Sequence, residues 1–267
     1  MRLEILLSCM HQSDTSLAER SEIVGDVLLI NQCDHEGYCE SLTREGRARM
    51  ISTCQRGLTR SRNMAIDYSE ADLCLLSDDD EIFVSEYEKR IVSAYEELPE
   101  ADVIIFKAVN RPKNFEDRVH PIRFPQTMKV SSWQISFRRE RLNQAGVRFD
   151  VLLGSGSGNG AEEELKFLLD CQHAGLSIWY VPVEIASVAQ EKSAWFAGYD
   201  EKFFYNRGAT TRYILGFWIA VAYGLYYVIR KKRMYDNQIC PAAALKAIFR
   251  GIVENRIAKH ASDAKNH

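Results

Sequence analysis

The sequence predicts an α/β protein in which a mostly parallel sheet is flanked by helices. Three observations carry this expectation. Short, mostly apolar runs (Leu3–Leu7, Val27–Ile30, Leu73–Leu76, Val103–Phe106) read as strands buried on both faces. Stretches with helical spacing lie between them, as parallel strands require. Two of the runs end in polar or acidic residues, at the strand end where open sheets of this kind hold ligands.

The first strand, Leu3–Ser8, stands at the N-terminus with no secretory leader before it. Val27–Ile30 ends in Asn31-Gln32-Cys33-Asp34. The stretch Arg56–Ile66 puts Leu58, Arg62 and Ile66 on one helical face. Arg60 and Arg62 near that helix start oppose its macrodipole, so they either meet an anionic ligand or pair with nearby aspartates. Leu73–Ser77 then runs into Asp78-Asp79-Asp80-Glu81. Carboxylates at this density repel one another, and a divalent cation with oxygen preference is the usual reason to gather them. On an extended chain Asp78 and Asp80 share one side and Asp79 the other. The alternative is a polar turn capping the next helix, for which Ser85 and Glu88 form a capping box.

Tyr87, Ile91, Tyr95 and Leu98 give that helix an ordinary core face. Asn110–Gln126 reads as a loop, with His120 a structural or solvated side chain. Trp133–Phe137 reads as a strand, and Arg139–Ala145 as a short helix stopped by Gly146. Gly154–Gly160 is a mobile glycine-rich loop entering a helix whose first turn holds Glu162, Glu163 and Glu164. It is no P-loop, because no Gly-Lys-Ser/Thr follows. The helix ends at Gly175, and Ile178–Val181 is a further strand before Pro182.

Formal net charge is −3 over 267 residues, but it is unevenly spread. From Arg207 onward there are 11 Lys+Arg against 3 Asp+Glu; the preceding residues carry 23 against 34. An acidic body with a basic tail points to an anionic partner for the tail. Nucleic acid is excluded, since the basic residues alternate with long apolar runs. Seven cysteines in odd number, without a C-x-x-C pair, read as reduced thiols in a cytosolic setting, and zinc-ligand spacing is absent.

In order and spacing, Asn31–Asp34, Arg60-Ser61-Arg62-Asn63, Ser77–Asp80, Glu163-Glu164 with Phe167, and Trp195-Phe196-x-Gly198-Tyr199 with Arg207-Gly208-Ala209 resemble family 2 glycosyltransferases of GT-A (Rossmann-like) fold, of the bacterial surface-polysaccharide branch. The resemblance implies a catalytic domain over residues 1–209 and a helical, membrane-associating extension over 210–267. It implies that Asp34 meets the nucleotide base, that Arg60, Arg62 and Asn63 help hold the nucleotide, and that Asp78 and Asp79 face base and ribose. Asp80, with Asp78, would ligate Mn2+ or Mg2+ at the diphosphate. Glu164, with Glu163 beside it, matches the base that activates the acceptor. The donor it implies is a nucleotide-diphosphate sugar, with UDP the default carrier, and the acceptor a saccharide or lipid-linked group, with inversion. Relatives often carry a metal-ligating histidine after the last core strand; Ala186-Ser187-Val188-Ala189-Gln190 has none. Two other readings compete: a sugar-phosphate nucleotidyltransferase, and a non-catalytic GT-A-like binding subunit.

Tyr213–Ile229 is uncharged and aromatic, bounded by Arg212 and Arg230-Lys231-Lys232-Arg233. At 1.5 Å per residue it reaches roughly 25 Å, short of the ~30 Å hydrocarbon core. Ala243–Ile257 adds an amphipathic segment. Both suit the inner surface of the cell membrane, with docking on the body or homodimerisation as alternatives.

Overall fold

The computed structural model describes residues 1–110, 113, 115–159, 162–188 and 198–257. The chain forms two compact units, Met1–Phe149 with Glu164–Glu191, and Asp150–Glu163 with Lys192–His267.

The first unit is built on a sheet of ten strands among the described residues: β1 Leu3–Met10, β2 Asp26–Gln32, β3 Gly37–Leu42, β4 Arg47–Thr53, β5 Leu73–Asp78, β6 Glu81–Phe83, β7 Val103–Ala108, β8 His120–Pro121, β9 Ile135–Arg138 and β10 Ile178–Val188. Their order is β3-β4-β2-β1-β5-β9-β7-β10-β6, with β8 on β10. The block β4-β2-β1-β5 is parallel, whereas β9 runs antiparallel to both β5 and β7. The chain winds outward from β1 through β2 to β4, then returns to place β5 on the other side of β1. That reversal opens a crevice at the carboxyl ends of β1 and β5, where Ser8 lies opposite Asp78.

Alternate residues of each buried strand face opposite sides, so the sheet carries two cores. Ile5, Leu7, Val27 and Leu29 pack with Tyr87, Ile91 and Tyr95 of a helix on one face. Leu6, Leu28 and Ile30 pack with Ala65, Ile66, Phe167 and Leu168 on the other. The helices are α1 Leu17–Arg20, α2 Leu58–Tyr68, α3 Tyr87–Glu97, α4 Arg139–Gln144 and α5 Glu163–His173.

Several expectations need correction. Strands β3 and β4 form an antiparallel hairpin at the sheet edge that the sequence did not announce, because β3 buries almost nothing. The expected capping box before α3 does not form: its N-cap is Glu86, in the left-handed region at φ 61°, and no side chain caps it. Strand β10 continues through Pro182, tolerated because its pairing with β7 shifts register between Tyr180 and Glu184. Asp79 and Asp80 lie in a turn, so the strand alternation expected over the three aspartates stops at Asp78. His120, by contrast, takes the structural place expected of it: it is buried, its Nδ1 bonded to the Arg118 carbonyl.

The second unit holds four helices among its described residues: α6 Glu201–Leu215, α7 Phe217–Arg230, α8 Lys232–Tyr235 and α9 Pro241–Glu254. Asp200 caps α6 by accepting from the Phe203 amide, and α6 runs unbroken through the 209/210 position. It stops at Gly216, whose φ of 80° is open to glycine and strained for other residues. Phe204, Ala220, Tyr227, Tyr235, Ala244 and Ile248 make its core.

Helices α6 and α9 meet backbone to backbone. A Cβ on Gly251 would lie 2.1 Å from the Tyr205 carbonyl oxygen, and one on Gly208 would lie 2.2 Å from that of Ile248. Neither obstacle is a side chain that could turn away. Gly251→Ala is therefore expected to cost roughly 3 kcal/mol or more, seen as an earlier thermal transition in helical circular dichroism.

The glycine-rich segment also belongs to this unit, and it is tethered rather than free. Thr210 donates to the Asn159 carbonyl at 2.8 Å, and Asn159 Nδ2 to that of Leu152 at 2.8 Å. Arg256 Nη2 donates to the Gly158 carbonyl at 3.0 Å and to Asn159 Oδ1 at 3.1 Å.

Candidate active site

The crevice at the ends of β1 and β5 collects most of the residues singled out in the sequence. Strand β5 delivers Asp78 there, half-buried, and the turn after it carries Asp79 and Asp80. Asp78 Oδ2 accepts from Ser132 Oγ at 2.8 Å, and Arg62 Nη2 lies 3.2 Å from its Oδ1. Helix α2 brings Arg62 in on the same face as Ile66, which is why its side chain is only 2% exposed. At the other end of the guanidinium, Nη1 lies 3.4 Å from Glu164 Oε1. Phe149 covers it, its ring centre 5.4 Å from the guanidinium carbon, and Phe149 in turn stacks on Phe167 of α5 at 4.2 Å. One buried cation thus joins the aspartate cluster to Glu164, which keeps two carboxylates stable in a partly dry place.

The other predicted residues take distinct places. Asn63 makes a two-point bond to the backbone of Phe149, donating to its carbonyl and accepting from its amide, both at 2.8 Å. Arg60 is exposed on α2. Asp34, exposed beyond β2, pairs with Arg56 at 2.6 Å. Of the two alternatives open for the arginines of this stretch, aspartate pairing describes Arg62 and also Arg56. Glu163 is buried at the start of α5; it falls in the second unit and Glu164 in the first. Glu162, just before, holds φ at 86° and accepts from Arg207 at 2.9 Å. The residues 189, 190, 195 and 196, which the sequence comparison used, lie outside the described residues.

Sequence reasoning missed Ser132 and the work of Glu81. Ser132 sits in a short 3-10 turn before β9 and carries no motif. Glu81, on β6, is buried and receives the Asp78 amide on Oε1 at 3.1 Å. Its place as the fourth member of the acidic run was the available signal. Burial first, and then the Asp78 charge, push the Glu81 carboxyl well above the usual glutamate range; the same causes raise Asp79. Oε2 of Glu81 is buried without a hydrogen-bond partner, which costs the charged carboxylate more than the neutral acid. Because the folded value is raised, protonated Glu81 supports folding fully below the ordinary value of 4.5, and the support is lost as pH rises through the folded value. Glu81→Gln is neutral throughout. It is expected to flatten that decline and to raise stability at neutral and alkaline pH, measured by urea unfolding across pH.

Among the described residues no three His, Cys, Asp or Glu side chains converge as a ready-made metal cage. The donors present are carboxylate oxygens, which suit a hard cation that also takes oxygens from phosphate and water.

Residues 27–157 match the model of glycosyl transferase family 2. The matched segment is similar to a glycosyltransferase domain of that family. It runs from β2 past the aspartates and stops short of Glu163 and Glu164. Among solved structures, the chain is similar to S. aureus TarS 1-349 in complex with UDP, at 12% identity and TM-score 0.59 over 100% of this chain and 92% of that one. It is also similar to TarS 1-349 in complex with UDP-GlcNAc, at 14% identity and TM-score 0.56 over 79% of this chain and 66% of that one. A third match, to S. aureus TarS, has 14% identity and TM-score 0.54 over 79% of this chain and 39% of that one. The chain spans 66% and 65% of the lengths of the first two TarS 1-349 structures it matches. At these identities the likeness establishes the GT-A fold. No curated protein matches the chain.

Proposed function

We propose that this chain is a glycosyltransferase, which moves a sugar from a nucleotide-diphosphate sugar to a hydroxyl of a saccharide or lipid-linked acceptor, with inversion, in surface polysaccharide assembly. The observation that carries the reading is the aspartate cluster at the β1/β5 crevice, joined through Arg62 to Glu164. The acceptor oxygen attacks the anomeric carbon while the bond from that carbon to the phosphate oxygen breaks. The hydroxyl proton passes to a carboxylate, Glu164 or its neighbour Glu163, and the electron pair leaves with the nucleoside diphosphate. Asp34, Arg60, Asp78 and Asp79 line the donor side, with Arg62 and Asn63 holding the walls. Asp80 with Asp78 would hold Mn2+ or Mg2+, which stabilises the charge developing on the leaving diphosphate. The UDP and UDP-GlcNAc complexes of TarS support UDP as the carrier.

The test is hydrolysis and transfer from a panel of nucleotide sugars with Mn2+ present. One donor is expected to be split slowly by the parent chain, and Asp80→Ala to lower the rate on the order of a hundredfold or more. If no nucleotide sugar is bound or split, the catalytic reading fails and the non-catalytic binding-subunit reading takes precedence. Transfer of a nucleotidyl group to a sugar phosphate by the same preparation identifies a nucleotidyltransferase instead.

A further inference from the structure

Helix α7 has two apolar sides, and the second unit uses only one. Ala220, Gly224, Tyr227 and Val228 face inward; Gly224 lies so close to α9 that an added Cβ would sit 2.7 Å from Ile248 Cγ2. The opposite stripe runs through Trp218, Ala222, Leu225, Tyr226 and Ile229, at spacings that keep one helical face. It is open: Trp218 is 80% exposed, Tyr226 53% and Ile229 71%. The stripe leads directly into Arg230, Lys231, Lys232 and Arg233, all exposed. Helix α9 is different, because its apolar residues Ala244, Ala247, Ile248 and Ile252 are buried in the unit's core. The two C-terminal segments read alike in the sequence, and only α7 keeps an unpartnered face.

No described helix is long and apolar enough to cross a membrane, and the 14 residues of α7 reach only about 21 Å. An apolar stripe with an indole at one end and four cations at the other fits a boundary between hydrocarbon and anionic headgroups. We propose that the outer face of α7 seats in the plane of an anionic membrane surface, with Trp218, Leu225 and Ile229 in the headgroup boundary and Arg230–Arg233 against lipid phosphates. The proposal is independent of the sugar-transfer chemistry.

Flotation of the full chain with vesicles tests it. Phosphatidylcholine vesicles are compared with vesicles that also contain phosphatidylglycerol. The parent chain is expected to float with the anionic vesicles far more than with the neutral ones, and less as salt rises. Trp218→Ser with Ile229→Ser is expected to abolish flotation. Neutralising Arg230, Lys231, Lys232 and Arg233 to glutamine is expected to lower partitioning about a hundredfold or more, from roughly fivefold per charge. All six side chains are exposed, so both variants should keep the parent's melting curve. The proposal is overturned if the parent does not float with anionic vesicles, or if it floats and neither variant changes that. It is equally overturned if light scattering finds a dimer that Trp218→Ser with Ile229→Ser converts to monomer without any flotation, since the face then meets a second copy.

Discussion

Glu164→Gln is expected to lower kcat for sugar transfer by on the order of 10²–10⁴, leaving the KM for the donor within about twofold. The amide keeps the shape of the side chain but cannot accept the acceptor's proton. It also leaves Arg62 paired with Asp78, so the folded crevice persists and donor binding survives. Arg62 Nη1 lies 3.4 Å from Glu164 Oε1, a contact the amide can keep only in part. Glu163→Gln is the matching control. Whichever amide loses turnover while still retaining nucleotide sugar, read by equilibrium binding, is the base.

Arg62→Leu is expected to act on fold and chemistry together. It leaves Asp78 and Glu164 facing each other without the cation between them, with side chains only 29% and 18% exposed. Removing one member of a buried charge group usually costs 3–5 kcal/mol; with this residual exposure about 2–4 kcal/mol is expected. Arg62→Lys keeps the charge but not the fork that spans two carboxylates, so it should recover stability more fully than turnover. Urea unfolding and steady-state kinetics on the same preparations separate the two effects. Equal stability of Arg62→Leu and the parent chain would remove the cation from its role.

Much of the fold could be read before any coordinates because β1, β2, β5 and β7 are buried on both faces and spell continuous apolar runs. The β3–β4 hairpin could not, because an edge strand that buries little has no hydrophobic period to display. Pro182 read as a strand end because sequence alone does not reveal a register shift that accommodates it. The aspartates of the site were legible for the opposite reason to the hairpin: three acids after a buried strand are conspicuous. Arg62 was half-legible. Its phase with Leu58 and Ile66 placed it on an inward face, yet what it meets there depends on Glu164, 102 residues away. Ser132 offered nothing to read, since a lone serine becomes a partner for Asp78 only when β9 is set beside β5.

The glycine contacts between α6 and α9 bear on how such a chain can be inherited and reshaped. Gly208 lies midway along α6 and Gly251 near the end of α9, far apart in sequence. With each glycine pressed against the other helix's main chain, a larger residue at either position must be answered by a changed crossing of the pair. Shortening the gene before α9 would not trim an appendage; it would uncover Phe204, Ala220 and Tyr227. Helix α9 is therefore tied to α6, and a substitution that shifts one helix must be answered in the other.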